Sequence, residues 1–114
     1  MRVTEIFHSV QGESTFAGLP CVFVRLTGCP LRCTWCDTDY AFFGGTDRSI
    51  DDILDTVRSY GCQLVEVTGG EPLAQPDSSA LLCRLCHEGF AVLLETSGAV
   101  DTAIVDPSVR IILD

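Results

Sequence analysis

Cys29, Cys33 and Cys36 are the residues of this chain best suited to chemistry. They stand in the run Gly28-Cys29-Pro30-Leu31-Arg32-Cys33-Thr34-Trp35-Cys36-Asp37-Thr38, a C-x3-C-x2-C spacing. Thiolates so close together in one loop can ligate three irons of a four-iron cluster. A full protein set for a [4Fe–4S] centre is four cysteines, so a set of three leaves one iron open to another molecule. That open corner marks a cluster built for reaction rather than for electron storage alone. Structural zinc commonly uses two C-x2-C-type pairs well apart in sequence, whereas these three cysteines crowd into one loop without a matching pair. A disulfide framework is disfavoured because seven cysteines is an odd number. Met1-Arg2-Val3-Thr4-Glu5 runs into strand-like sequence and not into an export signal. The expected compartment is therefore the reducing cytoplasm, where thiols serve metals or catalysis.

Length and composition set the frame for that loop. At 114 residues, 46% of them hydrophobic, the chain is one domain with enough apolar material for a core. It has no apolar run of the ~20 residues that a membrane span needs. Seven basic against sixteen acidic side chains give a formal charge of −9, which argues against a nucleic-acid backbone as a direct partner. Arg25 and Arg32 flank the cysteine loop, so the candidate site is locally more positive than the chain around it.

Strand and helix signals alternate along the sequence. Val3 to Phe7 reads as an N-terminal strand leading into His8-Ser9-Val10-Gln11-Gly12-Glu13. Cys21 to Leu26 is a strand that ends at the cysteine loop. Ser49 caps a helix running to Tyr60, with Asp52 at the capping-box position, Ile50, Ile53, Leu54 and Val57 at helical spacing, and Gly61 as its stop. Gln63 to Val67 is a strand ending in Thr68-Gly69-Gly70-Glu71-Pro72. Asp77 is placed to cap a helix through Glu88, closed by Gly89. Phe90 to Leu94 is a strand ending at Glu95-Thr96-Ser97-Gly98. A turn or short helix near Asp101 to Val105 precedes a last strand, Val109 to Leu113. Strands joined by helical crossovers make a parallel sheet, and the polar, glycine-rich segments fall at its carboxyl edge, where α/β folds keep their sites.

With these motifs in order, the chain resembles the radical S-adenosylmethionine (SAM) superfamily, in which the open iron binds SAM through its amino and carboxylate groups. Gly69-Gly70-Glu71-Pro72 resembles the GGEP element after the second barrel strand of those enzymes. Its glycines let the backbone approach a ligand, and Glu71 offers an acceptor to an ammonium group. Phe7-His8-Ser9-Val10-Gln11-Gly12-Glu13 together with Trp35-Cys36-Asp37-Thr38 narrows the resemblance, over about Glu5 to Gly98, to the 7-carboxy-7-deazaguanine synthase family. That resemblance implies a partial parallel (βα) barrel of about four core strands with an N-terminal extension. It implies a [4Fe–4S] cluster on Cys29, Cys33 and Cys36, and a SAM pocket drawing on Trp35, Asp37, Gly70, Glu71 and Ser97. Val10, Gln11, Gly12, Arg25 and Thr68 would contact a pterin, and Thr38 would ligate magnesium, a hard cation that takes neutral oxygens. The implied reaction is that of a radical SAM lyase. One-electron cleavage of SAM yields a radical that removes the C6 hydrogen of 6-carboxy-5,6,7,8-tetrahydropterin. Ring contraction and loss of ammonia then give 7-carboxy-7-deazaguanine, on the route to queuosine. A one-electron reductant such as flavodoxin and a homodimeric full-length form belong to the same implication.

The sequence departs from that pattern in length. Folds of this type usually need ~200 residues or more, so the chain is expected to be the N-terminal portion of a longer radical SAM domain, with an open edge at its last strand. Ser14 stands where the family pattern has glycine. Cys83 and Cys86 form a C-x2-C pair beside His87, among Leu81, Leu82 and Leu85, and are expected to pack as small apolar residues. Cys21 and Cys62, which open two strands, are read the same way. Two rival functions remain at this level. One is a glycyl-radical activase, which shares the cysteine loop but needs neither a pterin pocket nor magnesium. The other is a non-catalytic domain holding a cluster or zinc.

Overall fold

The computed structural model describes residues 1–12, 17–27, 45–69, 71–75, 77–96 and 105–113. Among them β1 (Arg2–Val10), β2 (Pro20–Leu26), β3 (Thr46–Asp47), β4 (Leu64–Gly69), β5 (Ala91–Thr96) and β6 (Arg110–Leu113) form one sheet in the order β3-β1-β2-β4-β5-β6. The run β2-β4-β5-β6 is parallel throughout, while β1 pairs antiparallel with both β2 and β3. Helix α1 (Ile50–Ser59) connects β3 to β4, and α2 (Ser78–His87) connects β4 to β5. Parallel β2, β4, β5 and β6, with helices in the β2–β4 and β4–β5 connections, and an antiparallel N-terminal strand make up the expected partial (βα) barrel.

Side-chain alternation decides what each face does. Val22, Val24, Leu26, Val65, Val67, Val92 and Leu94 project to the helix side. There they close a core with Ile53, Leu54 and Val57 of α1 and Leu81, Leu82 and Leu85 of α2. Burying both faces explains why Leu64 through Thr68 of β4 are all buried. A smaller apolar cluster of Cys21, Leu64 and Leu93, backed by Phe23 and Ile112, sits on the opposite face.

Helix α1 begins where its sequence signals put it: Ser49 accepts from the Asp52 backbone N–H at 3.1 Å, and Gly61 takes the left-handed φ of 66° beyond its last turn. Helix α2 differs from expectation. Asp77 holds the N-cap position, but its side chain makes no capping hydrogen bond. Its φ of −87° and ψ of −1° are helical rather than extended, so the carboxylate is not presented to the next turn. The cysteines of α2 also differ. Cys83 is exposed and Cys86 is only partly buried, because the buried stripe of α2 runs through Ser78, Leu81, Leu82 and Leu85. Cys83 follows Leu82 by about 100° of helical turn onto the solvent side. Three further features have no counterpart in the sequence reading: the extension of β1 to Val10, strand β3, and a 3-10 turn over Pro72–Ala74. Of the turn or helix read over Asp101–Val105, only Val105 lies within the described residues, where it joins the core. No helix among the described residues is long and apolar enough to cross a membrane.

Cys21 is fully buried, as read from the sequence. Burial, reinforced by the Glu66 carboxylate and by Cys62, pushes its thiol up to about 12 from an ordinary 9.0. Between those values the folded chain holds a proton that the unfolded chain has lost. Stability is therefore expected to fall as pH rises through that window, by at most about 1.4 kcal/mol per pH unit. Urea melts at a series of alkaline pH values check this, and Cys21→Ala should remove that part of the slope.

Candidate functional site

The face of the sheet opposite the helices grades from apolar to polar along the parallel strands. Its middle cross-strand row is Phe7, Phe23, Glu66 and Leu93, and the next row toward the carboxyl ends starts with Glu5, Arg25 and Thr68. Thr68 continues that row by donating from Oγ1 to Oε2 of Glu95 at 3.4 Å. Phe7, Ser9, Phe23, Arg25, Glu66, Thr68, Gly69 and Glu95 line a cavity of about 330 Å³. A larger groove of about 450 Å³ lies at the amino end of the strands, between His8, Leu19, Pro20, Tyr60 and Cys62. Its lining is mainly apolar, and among the described residues none of those singled out for ligand binding lines it. The smaller cavity at the carboxyl edge is the candidate site.

Arg25 is the cation among the described residues lining this cavity, which also include Glu66 and Glu95. Its Nε lies 3.0 Å from Oε1 of Glu5, off line for a hydrogen bond, so this buried N–H has no hydrogen-bond partner among the described residues. Its guanidinium carbon stands 5.8 Å from the centroid of the Phe7 ring, and Phe7 stacks on Phe23 with centroids 5.1 Å apart. A planar cation set against an aromatic wall suits a ligand that carries a carboxylate on a flat ring.

Gln11 enters from the far end of β1. Its backbone pairs with Leu19 and Gly18 across the turn to β2, and its buried side chain donates from Nε2 to Oε1 of Glu66 at 2.6 Å. Thr68 is likewise buried in the cavity wall. Val10, by contrast, is 59% exposed and lies outside the cavity lining. The pleat that turns Phe7 and Ser9 inward turns the Val10 side chain away. Gly12 follows at the start of the turn, in open space.

The Thr68-Gly69-Gly70-Glu71-Pro72 segment serves the frame as much as any ligand. Gly69 has φ 139°, and a Cβ there would sit 2.2 Å from the Leu26 carbonyl oxygen. Its missing side chain thus lets β4 close onto the backbone at the end of β2. Glu71 is 2% exposed. Its carboxylate accepts from the Leu73 N–H at 3.0 Å and from Thr96 Oγ1 at 2.6 and 2.8 Å. Among the described residues the Glu71 carboxylate thus meets groups of the chain itself, with the Thr96 hydroxyl as one donor. Gln75 completes the edge: its side-chain amide accepts from the Arg2 N–H and donates to the carbonyls of Arg2 and Thr27.

Cys29, Cys33, Cys36, Trp35, Asp37, Thr38, Gly70 and Ser97 lie outside the described residues. In the chain the cysteine loop follows Thr27, next to Leu26, the last residue of β2, which pairs with Gly69 at the carboxyl edge. The site residues that sequence reasoning missed are Glu66, Glu95 and the pair Phe7 and Phe23. A signal for Glu66 was present: it is the one charged residue in the apolar run Leu64 to Val67.

Comparison with known proteins agrees with this arrangement. The model of the radical SAM superfamily matches residues 23–112. The chain is 50% identical over 114 residues to 7-carboxy-7-deazaguanine synthase of Chlorobaculum tepidum, covering 100% of this chain and 52% of that protein. The same-named proteins of Koribacter versatilis and Thermoplasma acidophilum are 48% and 44% identical, each covering 100% of this chain and 51% and 54% of the relative. The chain thus spans about half the length of the curated relatives it matches. Among solved structures, QueE from Escherichia coli superposes with a TM-score of 0.82 at 30% identity, over 99% of this chain and 58% of that one.

Proposed function

Because this chain belongs to the radical SAM superfamily, we propose that it carries the reaction for which its relatives are named. That reaction is conversion of 6-carboxy-5,6,7,8-tetrahydropterin to 7-carboxy-7-deazaguanine with loss of ammonia. The observation that carries this reading is the carboxyl-edge cavity, in which Arg25, Thr68 and the Gln11–Glu66 pair surround a polar floor beside a stacked aromatic wall. A flat, hydrogen-bonding heterocycle with one carboxylate complements that lining. A glycyl-radical activase, which acts on a protein segment, has no use for it.

The donor chemistry fits the cofactors that the superfamily uses. Cys29, Cys33 and Cys36 supply three thiolates, leaving an iron for SAM, and their loop follows the carboxyl end of β2. Cluster and SAM, when bound, would supply hydrogen-atom abstraction from a carbon of the substrate. Trp35, Asp37, Gly70, Glu71 and Ser97 would line the SAM pocket. The chain's own described residues orient the substrate. Arg25 takes its carboxylate in a fork geometry, Thr68 and Gln11 contribute hydrogen bonds, and Phe7 and Phe23 limit water on one side. Thr38 would ligate magnesium together with substrate oxygens. Flavodoxin as reductant, a homodimer and a cytoplasmic setting complete the proposal.

The test is anaerobic incubation of the reconstituted protein with SAM, reductant, the tetrahydropterin and magnesium, following 7-carboxy-7-deazaguanine by mass. Product that depends on SAM and rises with magnesium supports the reading. SAM cleavage indifferent to the pterin would instead favour the activase class.

A further inference from the structure

Glu66 is an acidic side chain within the apolar run Leu64 to Val67 of a buried strand, only 3% exposed. It lines the candidate cavity with Phe23, Arg25, Thr68 and Glu95. A carboxylate so far from water requires hydrogen-bond donors. Gln11 supplies one, to Oε1 at 2.6 Å. Arg25, the cation of the same cavity, is paired with Glu5 instead. Among the described residues, Oε2 of Glu66 has no donor.

We infer that Glu66 is a specificity-determining residue that reads the 2-amino-4-oxopyrimidine edge of the substrate ring. This rests on the pterin reading of the site given above. That edge presents two adjacent N–H donors, the 2-amino group and N3–H, which match the two oxygens of a carboxylate as a guanidinium does. Oε1 can accept a second bond while it holds Gln11, because each carboxylate oxygen has about two acceptor positions. The Gln11 amide fixes the carboxylate plane, and the Phe7–Phe23 stack flanks it with a flat apolar surface. Arg25 stands one cross-strand row nearer the carboxyl edge. The two-residue rise between rows is about 6.6 Å, the scale of a fused two-ring system. Arg25 and Glu66 would thus grip the carboxylate end and the amino end of one ligand.

The test measures binding, without turnover, on the cluster-reconstituted protein, using the fluorescent 6-carboxypterin and its 2-oxo counterpart 6-carboxylumazine. Wild type is expected to prefer 6-carboxypterin by at least roughly tenfold, the scale of a hydrogen bond to a charged group. Glu66→Gln, which keeps the side-chain shape and an acceptor for Gln11, should weaken 6-carboxypterin about 10- to 100-fold and erase the preference. Its SAM affinity and melting temperature should stay at wild-type values. A variant that binds 6-carboxypterin within about threefold of wild type overturns the inference and leaves the function standing. If the variant loses SAM binding as well, the wild-type ligand pair decides, and equal affinity for the two rings overturns the inference. Wild type that binds neither ring overturns the pterin reading itself.

Discussion

Alanine at any one of Cys29, Cys33 or Cys36 is expected to remove the [4Fe–4S] cluster and lower SAM-dependent turnover by about 10³-fold or more, roughly 4 kcal/mol or more of barrier. With only three protein ligands there is no spare thiolate, and the hard step belongs to the cofactor rather than to a side chain that retains partial function. The fold should survive the change. The described core between the sheet and the two helices is built mainly from β2, β4, β5, α1 and α2. Anaerobic electron paramagnetic resonance of the reduced protein, with iron and sulfide analysis, checks this. Wild type should give a [4Fe–4S]⁺ signal that changes when SAM is added, and each variant should give none. Cys83→Ala is the matched control, since Cys83 is exposed on α2 and should leave the signal intact. A Cys33→Ala protein that keeps a SAM-responsive signal would sink the assignment of the loop. Zinc in place of iron and sulfide in the wild type would do the same for the cluster.

What the sequence made legible follows from how local each signal is. Helix α1 could be read because its cap, its apolar spacing and its stop sit within a dozen residues of one another. The parallel strands could be read because each carries a short apolar run bounded by turn residues. Strand β3 could not: two residues, Thr46 and Asp47, have no periodicity, and they form a strand only because Arg2 and Val3 lie alongside. The site was legible as a set of motifs at strand ends, but not as a division of labour within them. Glycine and glutamate in Gly69-Gly70-Glu71 carry the same letters whether they meet a cofactor or the chain. Only the contact of Gly69 with Leu26 and that of Glu71 with Thr96, 25 residues away, separate the two roles. Glu66 was overlooked for a related reason: its significance lies in Gln11, 55 residues earlier in the chain.

Glu71→Ala is expected to destabilise the protein by roughly 2–5 kcal/mol, because among the described residues two buried donors lose an acceptor and each group so left costs about 1–3 kcal/mol. Those donors are the Leu73 N–H and the Thr96 hydroxyl, both within the buried edge. Glu71 thereby ties the turn after β4 to the last residue of β5, and the segments at Gly70 and Ser97 leave from the two points it joins. Loosening that tie should weaken SAM binding as a consequence of lost stability. Thr96→Val separates this from direct contact with a ligand. If Glu71 acts through the frame, Thr96→Val should itself be destabilising and should weaken SAM in parallel. The double variant should then cost less than the sum of the two singles, as coupled neighbours do. Urea denaturation paired with SAM titration of the four proteins reads both quantities. Full stability in Glu71→Ala with abolished SAM binding, and no effect of Thr96→Val, would return the carboxylate to the ligand. The opposite pattern would mean that the glutamate after the two glycines is retained to hold two strand ends in register, so that what SAM meets is the backbone they present.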